Sequence, residues 1–315
     1  MNNIPSLDLA DFLSEDISKK KDFVNKLGKA FEEIGFVSIK NHFLDTSLTE
    51  NLYAQIKAFF NLPLDIKKKY EMPQLNGQRG YTSFGKEQAV GHSKADLKEF
   101  WHFGQEPQSG MDFTKDYYKN IQVTELVDFN KIGAEAFQML EKTGLFLLKA
   151  IVIYLGLPED YFDKWGTFGN SILRPIHYPP ITKEPEDAVR AGAHGDINLI
   201  TLLIGASTGG LQVLNKQDQW IDAAPRENEL VINVGDMLER LTNNKLRSTI
   251  HRVINPPKDT WHIPRFSIPF FMHPRLDMPL NCLEVCITDQ EPKQHEDILA
   301  GDFLMERLKA IGLVK

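Results

Sequence analysis

The sequence predicts an α+β protein in which helices flank a β-sandwich or jelly roll. From Ser171 to about Pro274, short apolar runs alternate with Gly, Pro and Asn turns, which is typical of antiparallel strands. Before Ser171, most apolar residues recur at steps of three and four, which is the spacing of helices packed on one side. At 315 residues the chain can form one large domain or two small ones.

The N-terminal region is predicted to begin with a helix followed by a strand. Five apolar residues recur at helical spacing: Phe23, Leu27, Ala30, Phe31 and Ile34. Gly35 breaks this pattern, and a strand is predicted from Phe36. The segment Ser47–Glu50 has the form of a capping box and predicts the start of a second helix. Pro63 ends that helix or restarts it as a short one.

The middle of the chain is predicted to contain a loop, a strand and a long helix. The segment from Met72 to His92 carries four glycines and predicts an irregular loop that can cover a site. Residues 96–104 predict a strand with Glu99 and Trp101 on one face. A long helix follows, and the chain is predicted to end in another helix that stops near Gly312.

Composition excludes several classes of partner. The formal net charge is −7 and the pI is about 5.8, and no basic block is present, so we expect no nucleic-acid partner. Cys282 and Cys286 are too few for a disulfide framework and indicate a reducing, cytoplasmic setting. No signal peptide is visible. The most apolar stretch, Leu145 to Leu157, is shorter than the roughly 20 residues of a membrane span, so no membrane partner is expected.

A candidate metal site lies among the predicted strands. His194 and Asp196 are two residues apart, and His251 follows much later. Two imidazoles and a carboxylate can ligate one face of a metal and leave the opposite positions open, an arrangement that suits non-haem Fe(II). A His-x-Asp pair alone is weak evidence in a chain with nine histidines. The segment His295–Asp297 repeats the pattern, but there the aspartate reads as a helix-capping or solvated residue.

The strand after His251 carries a candidate carboxylate-binding site. Alternation places Arg265, Ser267, Phe271 and His273 on one face. A guanidinium and a hydroxyl two residues apart suit a buried carboxylate, which Arg binds with two charge-assisted hydrogen bonds. The alternative is an Arg paired with an Asp or Glu of the protein itself.

An upstream strand contributes two further candidates. Arg174, Ile176 and Tyr178 share one face, and prolines end the strand. The Tyr178 hydroxyl could reach an acid, or the ring could simply be half-buried at the rim of a barrel. Arg174 could bind an anionic group of a substrate, or it could form an ion pair within the chain.

The order of these motifs resembles the isopenicillin N synthase-like branch of the Fe(II)/2-oxoglutarate-dependent oxygenases. The resemblance covers nearly the whole chain. It rests on five ordered motifs in the C-terminal half and three in the N-terminal part: His194–Asp196, Gly209–Val213, Val231–Met237, Arg247–Val253 and Arg265–Ser267, with Gly35–His42, Phe59–Pro63 and Arg79–Tyr81.

The resemblance implies a fold and a chemistry. The fold would be a double-stranded β-helix (jelly roll) with flanking helices, in which residues 1–120 form an N-terminal region of non-haem dioxygenase type and residues 121–315 the catalytic region, together one compact unit. Fe(II) would be held by His194, Asp196 and His251. 2-Oxoglutarate would bind the iron, and its far carboxylate would meet Arg265, Ser267 and Tyr178. With O2, the enzyme would oxidise a C–H bond of a small molecule and release succinate and CO2.

The resemblance also bears on the substrate. The strand of Glu99 and Trp101 borders the substrate pocket in this family, so both become candidates for substrate contact, together with Arg174, Phe271 and His273. Ile176 stands where plant relatives often have Asn, which removes one polar contact to the cosubstrate. Hydroxylation, desaturation and cyclisation all remain open. A monomer is expected.

Two alternatives remain open from the sequence. One is an oxidase on the same scaffold that uses no 2-oxoglutarate, as isopenicillin N synthase itself does. The other is a non-catalytic metal- or ligand-binding module, against which the intact set of ligand positions argues.

Overall fold

A computed structural model describes residues 4–75, 77–87, 94–106, 118–223 and 226–310. The helices in these ranges are α1 Leu9–Phe12, α2 Ile17–Glu33, α3 Thr46–Phe60, α4 Leu64–Lys68, α5 Phe129–Tyr154, α6 Asp163–Gly166, α7 Asp236–Leu241 and α8 Ala300–Ala310. The strands are β1 Ser6–Asp8, β2 Phe36–Lys40, β3 Gly80–Thr82, β4 Glu99–Gly104, β5 Ile172–Leu173, β6 Ile176–Tyr178, β7 Ala191–His194, β8 Ile200–Ile204, β9 Leu211–Leu214, β10 Trp220–Asp222, β11 Leu230–Val234, β12 His251–Val253 and β13 Arg265–Met272.

The described strands form two sheets. The larger has the order β1-β2-β11-β8-β13-β5-β4-β3, with β6 paired to β13 and β4. The smaller has the order β10-β9-β12-β7. Apart from the parallel pair β1 and β2, neighbouring strands are antiparallel. Helices packed on antiparallel sheets are the α+β arrangement that the sequence predicts.

Two apolar cores hold the layers together. The larger core lies between the large sheet and helices α2, α3 and α5. In it, Phe137 of α5 meets Phe270 of β13 edge to face, with ring centroids 5.0 Å apart. The smaller core lies between the two sheets, and Phe36 and Leu203 there pack with Val213 and Val253. The inner faces of both sheets therefore enclose a shared interior.

The predicted N-terminal helix and strand are present as α2 and β2. The side chain of Asp16 caps α2 by accepting a hydrogen bond of 2.8 Å from the Ser18 N–H. Gly35 ends the helix with a φ of +73°, and a Cβ there would lie 2.3 Å from the carbonyl oxygen of Arg247. Only glycine tolerates both conditions, so the chain turns at Gly35 and enters β2.

Two local predictions are wrong. Helix α3 begins at Thr46, because Asp45 caps it by accepting from the Leu48 N–H at 2.7 Å, so Ser47–Glu50 is not a capping box. The predicted loop from Met72 to His92 contains strand β3, which pairs with β4 and is buried. Residues 76 and 88–92 of that segment lie outside the described residues.

The remaining long elements follow the predicted pattern. Helix α5 occupies the predicted long apolar segment, and α8 the predicted C-terminal helix, although Gly312 lies outside the described residues. Cys282 and Cys286 are both free and buried. Among the helices that the structure describes, none is long and apolar enough to cross a membrane.

Helix α5 carries one carboxyl group in an unfavourable setting. The Oε1 atom of Glu141 is shielded from solvent and has no hydrogen-bond partner among the described residues. Burial raises the pKa of Glu141 from 4.5 to about 7. The folded chain therefore keeps this proton to a higher pH than the unfolded chain does, and the stability of the fold declines as pH rises from 4.5 to 7.

We expect Glu141→Gln to remove that decline. The variant and the wild type should have similar free energies of unfolding near pH 4.5, and the variant should be more stable by up to about 3 kcal/mol at pH 8. Urea unfolding at pH 4.5, 6 and 8 measures the difference. Glu135→Gln, at an exposed position of the same helix, is the matched control. A difference that does not vary with pH would contradict the assignment.

Candidate active site

Two histidines meet across neighbouring strands of the small sheet. His194 ends β7 and His251 begins β12, and the antiparallel register pairs them directly. Their ring centroids are 4.5 Å apart. Directly opposed residues of an antiparallel pair have adjacent side chains, so the sheet register itself brings these two distant residues together.

Asp196, in the turn between β7 and β8, completes the group from the side of the large sheet. Its Oδ2 accepts hydrogen bonds from the Thr201 hydroxyl at 2.6 Å and the Asn233 amide at 2.8 Å. Thr201 and Asn233 are themselves opposite each other on β8 and β11. The second oxygen, Oδ1, lies 3.8 Å from Nε2 of His251. One oxygen is thus fixed by the sheet and the other is directed at the histidines.

A backbone carbonyl oxygen lies beside Nδ1 of each ring and favours the tautomer with the proton on Nδ1. Nδ1 of His194 lies 2.7 Å from the Gly192 carbonyl oxygen, and Nδ1 of His251 lies 3.2 Å from that of Thr249. A ring that donates through Nδ1 keeps the lone pair on Nε2, the arrangement of a metal-ligating histidine. One potential ligand atom from each of His194, Asp196 and His251 lies within 4.8 Å of the others.

The electrostatics favour the forms that bind metals. Burial, and next the charge of His251, lower the pKa of His194 to about 4. Burial alone would raise the pKa of Asp196. The charges of the two histidines and the hydrogen bonds from Asn233 and Thr201 outweigh burial, so the pKa of Asp196 lies below its usual value. At neutral pH the cluster is an ionised carboxylate beside a neutral His194 imidazole, a donor set that fits Fe(II).

The second His-x-Asp pattern forms no such cluster. Nε2 of His295 is 2.7 Å from Oδ1 of Asn244, and Asp297 forms an exposed ion pair with Lys293 at 2.6 Å. This agrees with the prediction that Asp297 is solvated.

Arg265 is a buried guanidinium without a protein carboxylate. It is 1% exposed, and its Nε donates to the carbonyl oxygens of Thr208 and Gly209 at 3.3 and 3.1 Å. Nη1 has no partner in the described part of the chain, and no carboxylate there lies within ion-pair distance. The alternative of an ion pair with the protein is therefore not found in the described ranges.

The predicted neighbours of Arg265 lie beside it. Tyr178 pairs with Arg265 across β6 and β13, and its ring centroid is 5.0 Å from the guanidinium carbon. Ser267 is 4% exposed. All three line a small cavity of about 70 Å³, here called the inner cavity, together with His194, Asp196 and His251. The candidate metal ligands and the candidate carboxylate site therefore share one enclosed space.

A second, outer cavity of about 380 Å³ adjoins the inner one. Five residues line both: Lys98, Arg174, His194, Asp196 and Phe271. His273 also lines the outer cavity, and burial lowers its pKa to about 4. The predicted residues Arg174, Phe271 and His273 are thus brought to the space next to the three metal-ligand candidates.

Arg174 sits in a network of paired charges. Its Nε donates to Nε2 of His102 at 2.5 Å, and its Nη1 lies 3.3 Å from Glu87. Lys98 pairs with Glu87 at 3.1 Å and with Asp96 at 2.9 Å. The predicted alternative, an ion pair within the chain, is therefore present, although Arg174 also faces both cavities. The two cations and two anions of this network balance.

Aromatic rings hold the Arg174 side chain in place. The guanidinium carbon is 4.5 Å from the Phe100 ring centroid and 4.9 Å from that of Phe271. Burial, and next the charge of Arg174, lower the pKa of His102 well below its usual value, so His102 is neutral and accepts the hydrogen bond.

Glu99 and Trp101 lie away from both cavities. Glu99 pairs with Lys67 at 2.8 Å and with His177 at 2.7 Å, and it also accepts from the Tyr81 hydroxyl. Trp101 packs on Phe59 with ring centroids 4.9 Å apart. The structure does not bring these two candidates to the pocket, because their face of β4 is turned towards the helices.

The opposite face of the β4 segment supplies residues that the sequence analysis missed. Phe100 and His102 contact Arg174, and Lys98 lines both cavities. Because side chains alternate along a strand, residues that do not share the face of Glu99 lie on the opposite face, and the sequence could have offered them as the alternative candidates. Thr201 and Asn233, which hold Asp196, were also missed, although Asn233 lies inside one of the recognised motifs.

The C-terminal helix forms one wall of the outer cavity. Leu304, Arg307 and Leu308 of α8 line it. Arg307 is paired with Asp236, whose backbone N–H donates to the Asp196 carbonyl oxygen at 2.7 Å. The wall is therefore attached to the segment that carries a candidate metal ligand.

Comparisons with known proteins agree with this site. Residues 4–125 match a family model described as the N-terminal region of non-haem dioxygenases in morphine synthesis. Residues 169–274 match the model of the 2OG-Fe(II) oxygenase superfamily. A proline hydroxylase of Petromyces alliaceus is 33% identical over 97% of this chain and 98% of its own length.

Solved structures agree as well. A Caulobacter crescentus protein described as a 2OG-Fe(II) oxygenase family member is 41% identical, with a TM-score of 0.88 over 99% of this chain and 100% of its own. A full-length Neurospora crassa protein solved in complex with alpha-KG and thymine is 31% identical, with a TM-score of 0.86 over 98% of this chain and 96% of its own. The predicted jelly-roll core is confirmed by these neighbours.

We expect Arg265→Met to stabilise the ligand-free protein. Removing a buried charge that the described residues leave without a counter-ion should raise the free energy of unfolding by about 1–3 kcal/mol. Thermal unfolding measures this, with Arg275→Met as the control because Arg275 forms a surface ion pair with Asp277 at 3.0 Å. A melting temperature below that of the wild type would show that the two hydrogen bonds of Arg265 outweigh the cost of burying its charge.

Proposed function

The chain belongs to the 2OG-Fe(II) oxygenase superfamily and is an Fe(II)- and 2-oxoglutarate-dependent dioxygenase, and we propose that His194, Asp196 and His251 hold its iron. One observation carries this proposal: three potential ligand atoms lie within 4.8 Å of one another, and their residues border the same cavity as a buried guanidinium that has no counter-ion among the described residues. Two imidazoles and one carboxylate are the donor set of non-haem Fe(II) sites with open positions.

We propose that Arg265, Ser267 and Tyr178 bind the far carboxylate of 2-oxoglutarate. Nη1 of Arg265, which has no partner in the described ranges, supports this, since a guanidinium binds a carboxylate with two parallel hydrogen bonds. A carboxylate would also neutralise a charge that the described residues leave without a counter-ion. Ile176, on the same face, adds an apolar contact.

When bound, iron and 2-oxoglutarate supply the oxidising chemistry, in which reduction of O2 is coupled to decarboxylation of 2-oxoglutarate to succinate and CO2. The protein's own residues orient and enclose these groups. Thr201 and Asn233 hold one oxygen of Asp196 so that the other is presented to the metal. Phe36, Leu203 and Val253 line the inner cavity with apolar surface, which limits the access of water.

We propose that the substrate is a small polar molecule bound in the outer cavity, where one of its C–H bonds is hydroxylated, desaturated or used for cyclisation. An anionic or carbonyl oxygen of the substrate would bind Arg174, whose contacts to Glu87 are long, at 3.3 and 3.4 Å. The balanced charges of the network favour a substrate that is neutral or carries both signs. The relatives named for proline and solved with thymine fit this class of size and polarity.

We propose that the N-terminal region, residues 1–120, and the catalytic region, residues 121–315, form one compact unit. The support is the larger core, in which residues of α2 and α3 pack with residues of α5 and β13. We also propose a cytoplasmic monomer with no nucleic-acid or membrane partner, in keeping with the net charge of −7.

Anaerobic titration with Fe(II) and then 2-oxoglutarate tests the proposed ligands. Wild-type protein should bind Fe(II), measured by calorimetry, and should develop a weak visible absorption band with 2-oxoglutarate. Asp196→Asn should lose both signals because a carboxylate ligand becomes a neutral amide. Thr201→Val should weaken metal binding by roughly 10–100-fold, the usual effect of removing a group that orients a ligand.

Two further variants serve as controls in this titration. Asp297→Asn changes the second His-x-Asp pattern and should bind both Fe(II) and 2-oxoglutarate as the wild type does. Arg265→Met should keep Fe(II) binding and need at least about 10-fold more 2-oxoglutarate to form the band. Equal binding of Fe(II) by Asp196→Asn and wild type would remove the proposed metal site.

We expect Arg174→Gln to impair use of the substrate more than use of 2-oxoglutarate. Small amino acids, nucleobases and carboxylates are first screened for stimulated O2 uptake and succinate formation, and products are identified by mass spectrometry. For the best substrate, kcat/KM of the variant should be roughly 10–100-fold lower than that of the wild type. This is the loss expected when one charge-assisted hydrogen bond to the substrate is removed. Lys94→Gln, which breaks an exposed ion pair with Glu186, is the control. An unaltered kcat/KM would exclude Arg174 from substrate binding.

A further inference from the structure

A third cavity lies beside the inner cavity and takes no part in the proposed function. It has a volume of about 430 Å³ and is called here the Arg190 cavity. The polar residues Arg190, Thr208 and Asn255 line it, together with apolar residues that include Ile254, Pro256 and Ile263. Leu211 is the one described residue that lines both this cavity and the inner cavity.

Arg190 is the charged group of this cavity. The residue directly precedes β7, and it is 2% exposed. Nη2 donates to the Ile263 carbonyl oxygen at 3.2 Å, whereas Nε is buried and without a partner in the described ranges. No carboxylate of those ranges lies within ion-pair distance of it. A buried guanidinium in this state carries a desolvation cost that an anion would offset.

Two further residues that line the cavity each carry a buried polar atom without a partner in the described part of the chain. These atoms are the hydroxyl oxygen of Thr208 and Oδ1 of Asn255. Asn255 is held by its own amide nitrogen, which donates to the Ala188 carbonyl oxygen at 2.8 Å. Thr208 can donate to an anion, and Asn255 Oδ1 can accept from a hydroxyl. The cavity thus combines a buried guanidinium and two polar side chains with an apolar wall.

The charge distribution around Tyr178 points the same way. The guanidinium carbons of Arg190 and Arg265 lie 5.9 and 5.0 Å from the centroid of the Tyr178 ring. Burial, and next the charge of Arg265, lower the pKa of Arg190 to about 10. The far carboxylate of 2-oxoglutarate would offset one of these cations only, because Arg190 does not line the inner cavity.

We propose that the Arg190 cavity binds a small organic carboxylate that has an apolar body and a hydroxyl group. Its carboxylate contacts Arg190 and Thr208, its body packs on Ile254, Pro256 and Ile263, and its hydroxyl donates to Asn255. Asp222 also lines the cavity, but it is exposed and accepts from Gln212 at 3.1 Å, so it lies at the rim. This site is separate from the proposed iron ligands and does not rest on them.

Calorimetry with 4-hydroxybenzoate as the probe tests this proposal. The full-length protein is loaded anaerobically with Fe(II) and saturating 2-oxoglutarate, so that Arg265 is already occupied and no turnover occurs. We expect saturable binding in the millimolar range, weakened about 10-fold or more by Arg190→Gln. The neutral isostere 4-hydroxybenzamide should bind much more weakly than the carboxylate.

Further variants separate the possible sites. Arg275→Gln, the same change at the surface, should leave binding unaltered. Thr208→Val removes one hydroxyl with little change of volume and should weaken binding several-fold, which keeps the test decisive if melting curves show that Arg190→Gln is unfolded. Binding that is lost in Arg174→Gln but kept in Arg190→Gln would place the probe in the outer cavity and overturn the proposal. So would the absence of saturable binding at roughly 10 mM probe.

Discussion

The site depends on one pairing of strands. The register of β7 and β12 sets His194 opposite His251, and a shift by one residue would turn one ring to the other face of the sheet. The large sheet positions the third group. Thr201 and Asn233 are directly opposed on neighbouring strands, and both donate hydrogen bonds to Asp196. The geometry of the cluster is therefore set by backbone hydrogen bonding in two sheets, and the core between them keeps those sheets in contact.

The second constraint is that buried charges are paired in one part of the site and lack protein counter-ions, among the described residues, in another. Near the outer cavity, Arg174, Lys98, Glu87 and Asp96 neutralise one another at distances of 2.9 to 3.3 Å. Around Tyr178, in contrast, the guanidinium groups are buried and lack protein carboxylates among the described residues. A protein gains nothing in stability from such cations alone. The two regions therefore differ in charge balance, and this difference is the basis for proposing that anionic ligands bind beside Tyr178.

The sequence predicts the class of fold and the central cluster well, for a physical reason. Arg265 and the His–Asp–His set lie in ordered motifs at strand ends, where alternation gives the face of each side chain. Alternation does not show which face of a strand lines the pocket. The sequence therefore could not tell whether Glu99, or instead Lys98 and His102, faces the pocket, because that depends on how β4 packs against helices α3 and α5. Whether a buried cation such as Arg190 is paired depends on tertiary contacts, which the sequence does not show. The true cap of α3, Asp45, lies next to the segment Ser47–Glu50, which fits a capping pattern equally well.

The contact between α8 and the segment after β11 joins one wall of the outer cavity to the turn that contains Asp196. Leu304 and Leu308 line the outer cavity, yet they belong to a helix that lies outside the two sheets. Arg307 of that helix pairs with Asp236, whose backbone N–H donates to the carbonyl oxygen of Asp196. A change at Leu304 or Leu308 would therefore alter the shape of the outer cavity without altering a strand of either sheet.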